Sequence, residues 1–224
     1  APSSQGQYSR VNPSLGSPRI LIKNTGEYDL HSLEILYGLK SRKKSIYKWR
    51  GNLSFMESEE VYLPIPNWHG LSKKPVFEVA LKNPNGIKDE NPFNDKLTSN
   101  IPLPKILPRE FTLQIKTNTV DRARENSFTL FELDGSVLYS ECDFSDSTEY
   151  NFPIKLKNGD YQFLFKDDME DGISRHWWYR NSAPEKIGIN GEVRFLSLDG
   201  DTLHQFNPDF GQELLLNFRV GRLP

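Results

Sequence analysis

Hydrophobic and polar residues alternate in short runs along most of this chain, and residues that favour turns separate the runs. Examples are RILIK (19–23), PVFEVAL (75–81) and GDYQFLFKD (159–167). A period of two is typical of strands that bury one face, because successive side chains of a strand point to opposite sides. No stretch of 11 or more residues combines the helical spacing i, i+3, i+4, i+7 with a capping box. The pattern therefore predicts an all-β protein.

The spacing of the runs predicts two β-sandwich domains. Runs recur about every ten to fifteen residues within 18–103, which is the rhythm of an immunoglobulin-like sandwich. About eight further runs within 104–224 predict a jelly roll or a related sandwich. Between them, IPLPKILPRE (101–110) holds three prolines that cannot donate to a central ladder, so it is interpreted as a semi-rigid connector. The polar residues 1–17 are predicted to be a disordered linker.

Dipeptides that favour hairpin turns separate several runs of the second half. They are Asp134-Gly135, Asn158-Gly159, Asn190-Gly191 and Asp199-Gly200. In the first half the densest basic patch, SRKKS (41–45), lies between two strand-like runs. It is interpreted as the solvated tip of a hairpin.

The charge of the chain changes sign between its halves. Residues up to Lys105 include 15 basic and 10 acidic side chains, a balance of +5, and those from Leu107 onward include 13 and 20, a balance of −7. This asymmetry favours two domains with different surfaces. The overall charge of −2 does not favour nucleic-acid binding, which requires a basic face with stacking aromatic residues.

Two further features bear on the compartment. The chain has no run of about 18 apolar residues, so no transmembrane helix is expected. It begins APSSQGQYS, without a signal-peptide pattern, which fits either a mature secreted protein or a piece of a longer one.

Cys142 is the single cysteine, so no disulfide can form within the chain. We expect it to be a small buried hydrophobic residue and not a nucleophile.

The segment KDDMEDGISRHWWYR (166–180) concentrates the candidate chemistry. Its acids, Asp167, Asp168, Glu170 and Asp171, offer the oxygen ligands that calcium takes, and the glycine after them allows a tight turn. Asp167 and Asp171, which flank the loop, are the strongest candidates. The spacing is not that of an EF-hand. The alternative is a solvated turn whose aspartates bond backbone amides.

Two adjacent tryptophans, Trp177 and Trp178, follow the acids. Neighbours in a strand point to opposite faces, so one ring is expected in the core and the other on the surface. An exposed ring beside Arg175, Arg180 and Asn181 would form a sugar-stacking platform. The alternative is that both rings cap the end of the sandwich or pack on the first domain. Two other tryptophans, at positions 49 and 68, are expected in the core or between domains.

Each half resembles a known kind of module. The first half resembles the CARDB-type, immunoglobulin-like modules of secreted bacterial proteins, in KNTGEYDLHSLEILYGL (23–39), KWRGNL (48–53) and NPNGIKDENPFND (83–95). The second half resembles the small jelly-roll modules appended to exported hydrolases, in ENSFTLFELDGSVLYS (125–140), NGDYQFLFKD (158–167) and the pattern D-x-x-x-D-G-I (167–173). It departs from them at Met169, where a glycine is frequent, and at residues 174–176, which separate the glycine turn from the tryptophans.

The resemblance implies a non-catalytic binding or spacer module of an exported, secreted or cell-surface bacterial protein that is not cytoplasmic. Such tandems are attached to further domains, including peptidases and amidases that resemble peptide-N-glycosidase F. The ligand would be a glycan or a protein. One alternative is part of a secreted hydrolase acting on glycoproteins or peptides, and a second is a β-rich membrane-active or toxin-like protein. Neither H-E-x-x-H nor G-x-S-x-G occurs, and the four histidines lack metal-ligand spacing, so no enzyme is predicted.

Overall fold

Strands dominate the structure, a computed structural model that describes residues 14–69, 71 and 73–221. These residues fall into two compact units that divide between Leu103 and Pro104. Here 14–103 is the amino-terminal unit and 104–221 the carboxy-terminal unit. The helical segments of the described residues are short 3-10 turns at Pro84–Gly86, Ala123–Glu125, Trp177–Asn181 and Pro184–Lys186. None of these segments has the length and apolar content that a membrane-crossing helix requires. The prediction of an all-β protein is confirmed.

The amino-terminal unit consists of two antiparallel sheets. Its strands are β1 (Arg19–Lys23), β2 (Leu30–Leu39), β3 (Ser45–Leu53), β4 (Ser58–Tyr62), β5 (Val76–Lys82) and β6 (Lys96–Asn100). One sheet pairs β1 with β4, and the other has the order β3-β2-β5-β6. The SRKKS patch lies between β2 and β3, which pair as a hairpin, so its interpretation as a hairpin tip is confirmed.

The core of this unit forms from alternate residues of the strands. Leu33, Ile35 and Tyr37 of β2 are buried, and Trp49 of β3 is only 3% exposed. Trp68 is equally buried, so both tryptophans, for which the core and the space between domains are the predicted places, are buried within this unit.

The amino-terminal linker was predicted one turn too long. Ser14 and Leu15 are fully buried, the Ser14 hydroxyl donates to the carbonyl of Pro102, and the Trp68 indole N–H donates to the carbonyl of Gly16. These contacts make residues 14–17 part of the unit, because burial of an apolar side chain offsets the entropy cost of ordering it. The remainder of the predicted linker, residues 1–13, lies outside the described residues.

The carboxy-terminal unit is a sandwich of a five-stranded and a four-stranded sheet. Its strands are β7 (Lys105–Leu107), β8 (Glu110–Lys116), β9 (Asn126–Glu132), β10 (Val137–Glu141), β11 (Glu149–Lys155), β12 (Gly159–Asp167), β13 (Glu192–Leu196), β14 (Thr202–Gln205) and β15 (Glu213–Val220). The sheet orders are β10-β9-β12-β15-β7 and β11-β8-β13-β14.

Phenylalanine rings from both sheets fill the space between them. Phe163 of β12 is fully buried and lies 5.1 Å from the ring of Phe195 on β13, in the opposite sheet. Phe111 of β8 makes a similar edge contact with Phe195, also at 5.1 Å. Such edge-to-face pairs add to the free energy gained by burying the rings.

Two of the four predicted hairpin turns are hairpins. Asp134-Gly135 joins the paired strands β9 and β10, and Asp199-Gly200 joins β13 and β14. The prediction is wrong for Asn158-Gly159, which lies between strands of different sheets, and for Asn190-Gly191, which ends a long loop before β13. A Cβ at position 191 would lie 2.8 Å from the carbonyl oxygen of Lys116, so close approach of two backbones explains this glycine.

The proline-rich connector contains a strand. Its residues Lys105–Leu107 form β7, which pairs in parallel with the edge of β15. Pro104 and Pro108 flank this strand, where a missing N–H costs no ladder bond.

Cys142 is exposed, and the expectation that it is buried is wrong. It directly follows β10, a strand at the edge of its sheet with mostly exposed residues. The negative charge of Asp143 raises the pKa of the thiol, which disfavours the reactive thiolate.

We expect Phe163→Ala to lower the free energy of unfolding by about 3–5 kcal/mol, because it removes a ring from the contact between the sheets and leaves a cavity. Leu198→Ala is the matched control in the same unit. Its side chain is 72% exposed, so its effect should stay within about 0.5 kcal/mol. Urea denaturation measures both, and equal effects would contradict the core assignment.

Candidate functional site

The candidate site lies at one end of the carboxy-terminal sandwich, where several loops leave the sheets together. Asp167 at the end of β12 pairs with Asn126 at the start of β9, and Glu192 at the start of β13 pairs with Lys116 at the end of β8. The strand ends are therefore level with one another. The loops that meet there are 117–125, 142–148, 168–191 and 206–212.

Asp167 organises the acidic loop from inside. It is 1% exposed, and its carboxylate accepts backbone N–H bonds from Asp171 at 2.8 Å, Gly172 at 2.6 Å and Met169 at 3.3 Å. Burial raises the pKa of this carboxyl to about 6, and the three N–H groups act in the opposite direction. The acidic run thus forms a turn of the kind in which an aspartate bonds the following amides.

Gly172 locks the acidic loop against the loop before β15. Its φ is +72°, and a Cβ there would lie 2.5 Å from the carbonyl oxygen of Pro208. The next residue, Ile173, donates its N–H to the same carbonyl and buries its side chain. Only glycine satisfies both the left-handed backbone and the close approach.

A third carboxylate comes from a different loop. Glu125 ends the 3-10 turn Ala123–Glu125, and its carboxylate forms a cluster with those of Asp167 and Asp171 in which the nearest oxygens lie within 4.8 Å of one another. The turn is held by the carboxylate of Asp146, which accepts the N–H of Arg122 at 3.1 Å and also binds the neighbouring backbone amides. We call Glu125, Asp167 and Asp171 the carboxylate cluster.

Arg122 balances part of this charge. Its Nη1 lies 3.4 Å from Asp171 Oδ2 and 3.7 Å from Glu125 Oε1. Even so, burial raises the pKa of Glu125 to about 7, with Arg122 opposing the shift and Asp167 and Asp171 adding to it. Above the raised pKa values of Glu125 and Asp167, the ionised cluster holds more negative charge than Arg122, the arginine that forms ion pairs with it, neutralises.

His176 lies against the cluster and is 2% exposed. Its Nε2 is 3.0 Å from Asp171 Oδ2, yet neither ring nitrogen makes a hydrogen bond of standard geometry. Burial lowers the pKa of the imidazole, with the charge of Asp171 opposing, so the neutral ring is favoured near neutral pH. Its face stacks on Trp178, with ring centroids 4.3 Å apart.

Both adjacent tryptophans are on the surface, so the expectation of one buried and one exposed ring is wrong. Trp177 is 58% and Trp178 43% exposed. The reason is local: the residues begin a 3-10 turn, Trp177–Asn181, in which neighbours do not alternate between two faces. The guanidinium of Arg180 lies 5.7 Å from the centre of the Trp177 ring, a cation–π contact.

An open cleft of about 740 Å³ is lined by residues of the acidic loop and by the tryptophans. Both tryptophans line it, together with Asp171, Arg175 and Asp209. The backbone N–H of Arg175 donates to the Asn190 side chain at 2.7 Å, which positions this part of the loop. Of the other predicted ligand-binding residues, Arg180 and Asn181 are exposed on the same 3-10 turn but do not line the cleft.

The structure does not bring all the predicted calcium ligands together. Asp168 and Glu170 are exposed and stand outside the carboxylate cluster, because the loop turns around Asp167 and points them to solvent. Glu170 instead accepts a bond from the Gln212 side chain at 3.1 Å. Glu125, which sequence analysis missed, takes their place, and only the pairing of β9 with β12 brings it near.

Comparison of the chain with models of protein families, with curated proteins and with solved structures finds no match.

We expect Gly172→Ala to destabilise the chain far more than Gly135→Ala. At Gly135, φ is +93° and nothing lies within 4 Å of an added Cβ, so the cost is the left-handed backbone alone, about 1–2 kcal/mol. At Gly172 the clash with Pro208 adds to this, for a total of about 3 kcal/mol or more. Urea denaturation measures both, and equal losses would show that the loops can separate without cost.

We expect the metal-free chain, in EDTA, to lose stability as the pH rises through the interval from 4.5 to about 7. In that interval the folded state holds a proton on Glu125 that the unfolded state has released, so the free energy of unfolding falls with pH. The loss is on the order of 3 kcal/mol, at ~1.4 kcal/mol per pKa unit over the rise from 4.5 to about 7. Denaturation at pH 5 and 8 measures it.

Glu125→Gln should remove most of this pH dependence above pH 6, whereas Asp168→Asn, which changes an exposed acid in the neighbouring loop, should leave it intact. An unchanged slope in Glu125→Gln would contradict the assignment.

Proposed function

We propose that this chain is a non-catalytic binding module of an exported protein, with an immunoglobulin-like amino-terminal unit and a jelly-roll-like carboxy-terminal unit that binds a glycan. The observation that carries the proposal is the exposure of both Trp177 and Trp178 along an open cleft. The amino-terminal unit would then serve as a spacer, and the parent protein would carry further domains.

The tryptophan rings are suited to a sugar because they are exposed yet held in place. Trp178 rests on the buried ring of His176, and Trp177 packs beside it, with ring centroids 6.2 Å apart and planes at 79°. A fixed aromatic surface loses little entropy on binding. The apolar face of a pyranose can stack on such a ring while its hydroxyls meet polar groups.

Polar groups line the same cleft as the rings. Asn190 and Asn207 line the cleft, as do Arg175 and the acids Glu170 and Asp209. This mixture provides both donors and acceptors for sugar hydroxyls. The cleft is open to solvent, which suits an extended glycan better than a small enclosed ligand.

A second candidate function is that the chain forms part of a hydrolase. The raised pKa values of Glu125 and Asp167 favour it, because a general acid that works near pH 7 must still hold its proton at that pH. The position of these groups argues against it. Of the carboxylate cluster only Asp171 lines the cleft, and Asp167 is occupied by three backbone N–H groups. Hydrolysis of glycans or glycopeptides by the purified chain, lost in Glu125→Gln, would establish the hydrolase instead.

We expect Trp177→Ala and Trp178→Ala each to weaken glycan binding about 10- to 30-fold, on the scale of aromatic residues at the centre of binding surfaces. Binding is measured on a glycan array and then by calorimetry with the selected oligosaccharide. Trp177→Ala should leave the melting temperature nearly unchanged because its ring is largely exposed.

Tyr28→Ala is the control, since that ring is 84% exposed and does not line the cleft. It should bind glycans as the unmodified chain does. If no glycan binds, or if both tryptophan variants bind with full affinity, the cleft is not a glycan site.

A further inference from the structure

Two basic segments of the amino-terminal unit meet at one end of its four-stranded sheet. The turn 40–44 joins β2 to β3, and residues 73 and 74 precede β5, which pairs with the other edge of β2. The backbone N–H of Lys40 donates to the carbonyl of Val76 at 2.8 Å, so the two segments lie side by side. The exposed cationic side chains that this pairing brings to one end are Lys40, Arg42, Lys43, Lys73 and Lys74, which we call the basic surface.

The charge of the basic surface is not neutralised by ion pairs with the described carboxylates. Lys44, in the same turn, differs: its Nζ donates to the carbonyl of Leu39 at 2.7 Å and lies 3.4 Å from Glu78, whose carboxylate also pairs with Lys96. Neither 35–56 nor 61–77 contains an aspartate or a glutamate. The segments that form this end of the unit therefore supply cations without acids to balance them.

The acids of the loops in this unit lie at the opposite end of the same sheet. The side chain of Asn85 accepts the N–H of His31 at the start of β2, so the loop 83–95 is held where that strand begins. The acids carried by this loop and by the loops 24–29 and 54–57 are Glu27, Asp29, Glu57, Asp89, Glu90 and Asp95. The unit thus separates its charges along the strands, and the basic end attracts anions more strongly than an evenly mixed surface would.

The composition of the basic surface indicates what kind of anion it fits. Its side chains are all exposed and come from two neighbouring segments, so they suit a polymer with repeated negative charges, whereas a small ligand is usually enclosed in a pocket. It includes no aromatic ring, which nucleic-acid sites add to their positive charge, and no apolar side chain that would enter a membrane. Short runs such as KSRKK (40–44) are typical of patches that bind heparin, a sulfated polysaccharide.

We propose that the basic surface binds an acidic polysaccharide, a chain of sugars with repeated sulfate or carboxylate groups. The turn 40–44 and residues 73 and 74 would contact the same polymer, since they are neighbours in the folded unit. The amino-terminal unit would then have a ligand of its own in addition to its role as a spacer. This surface is separate from the glycan cleft and does not depend on the function proposed for it.

The test measures binding of the full chain to heparin and to polygalacturonate by calorimetry. The double variants Arg42→Ala/Lys43→Ala and Lys73→Ala/Lys74→Ala should each weaken binding about 10- to 30-fold, because each removes two cations from the contact. Their melting temperatures should stay unchanged, since all four side chains are exposed. The matched control is Lys23→Ala/Lys88→Ala, which removes two exposed cations at the opposite end and should keep full affinity.

Two further arms separate this proposal from its alternatives. Trp177→Ala should bind both polymers as the unmodified chain does, and a rise in salt from 50 to 200 mM should weaken binding at least about tenfold, as in other complexes of polyelectrolytes. Double-stranded DNA and phosphatidylserine vesicles should bind more weakly than either polysaccharide. The proposal would be overturned by a lack of polysaccharide binding, by an equal loss in the control, or by a loss in only one of the two double variants. Binding to DNA or vesicles that is as tight would overturn it as well.

Discussion

The buried carboxylate of Asp167 is the interaction on which the functional end of the carboxy-terminal unit depends. It is placed at the last position of β12, and it gathers the N–H groups of Met169, Asp171 and Gly172 around itself. A charged group at 1% exposure is costly unless it is hydrogen-bonded, and here the loop backbone supplies those bonds. The loop therefore takes its shape from the hydrogen bonds to Asp167, and the same bonds stabilise the buried carboxylate.

The position of Asp167 determines the positions of the neighbouring groups, one after another. Asp171 is turned back toward Arg122 and His176, and Gly172 brings the chain against the carbonyl of Pro208. His176 is then buried, and its ring supports Trp178 from below. The exposed tryptophans are thus the outermost layer of a stack whose lowest layer is a buried acid. A change at the acid should reach the exposed tryptophans through this stack.

The same arrangement divides the side chains at this end into two sets. Polar and aromatic side chains line the open cleft, while Glu125 and Asp167 of the carboxylate cluster do not line it. The sandwich below these loops, whose phenylalanine rings pack between the two sheets, supports both sets of side chains.

The alternation of hydrophobic and polar residues by itself determined the all-β fold and the position of nearly every strand, because burial of one face requires a period of two. For Trp49 and Trp68 it left the core and the space between domains as alternatives, and both rings are buried. It also marked the acidic loop and the adjacent tryptophans as candidate chemistry, since such clusters are visible without structure. These properties depend on residues close to one another along the chain.

The tertiary structure alone decided which of those residues meet. Glu125 precedes Asp167 by more than forty positions and joins it only through the pairing of β9 with β12. Asp168 and Glu170 lie within three residues of Asp167 in the sequence, yet their side chains point away from the carboxylate cluster. The backbone hydrogen bonds to Asp167 set the turn that directs them outward. The tryptophans lie in a 3-10 turn and not in a strand. The local sequence pattern does not distinguish a 3-10 turn from a strand where contacts with distant loops determine the backbone conformation.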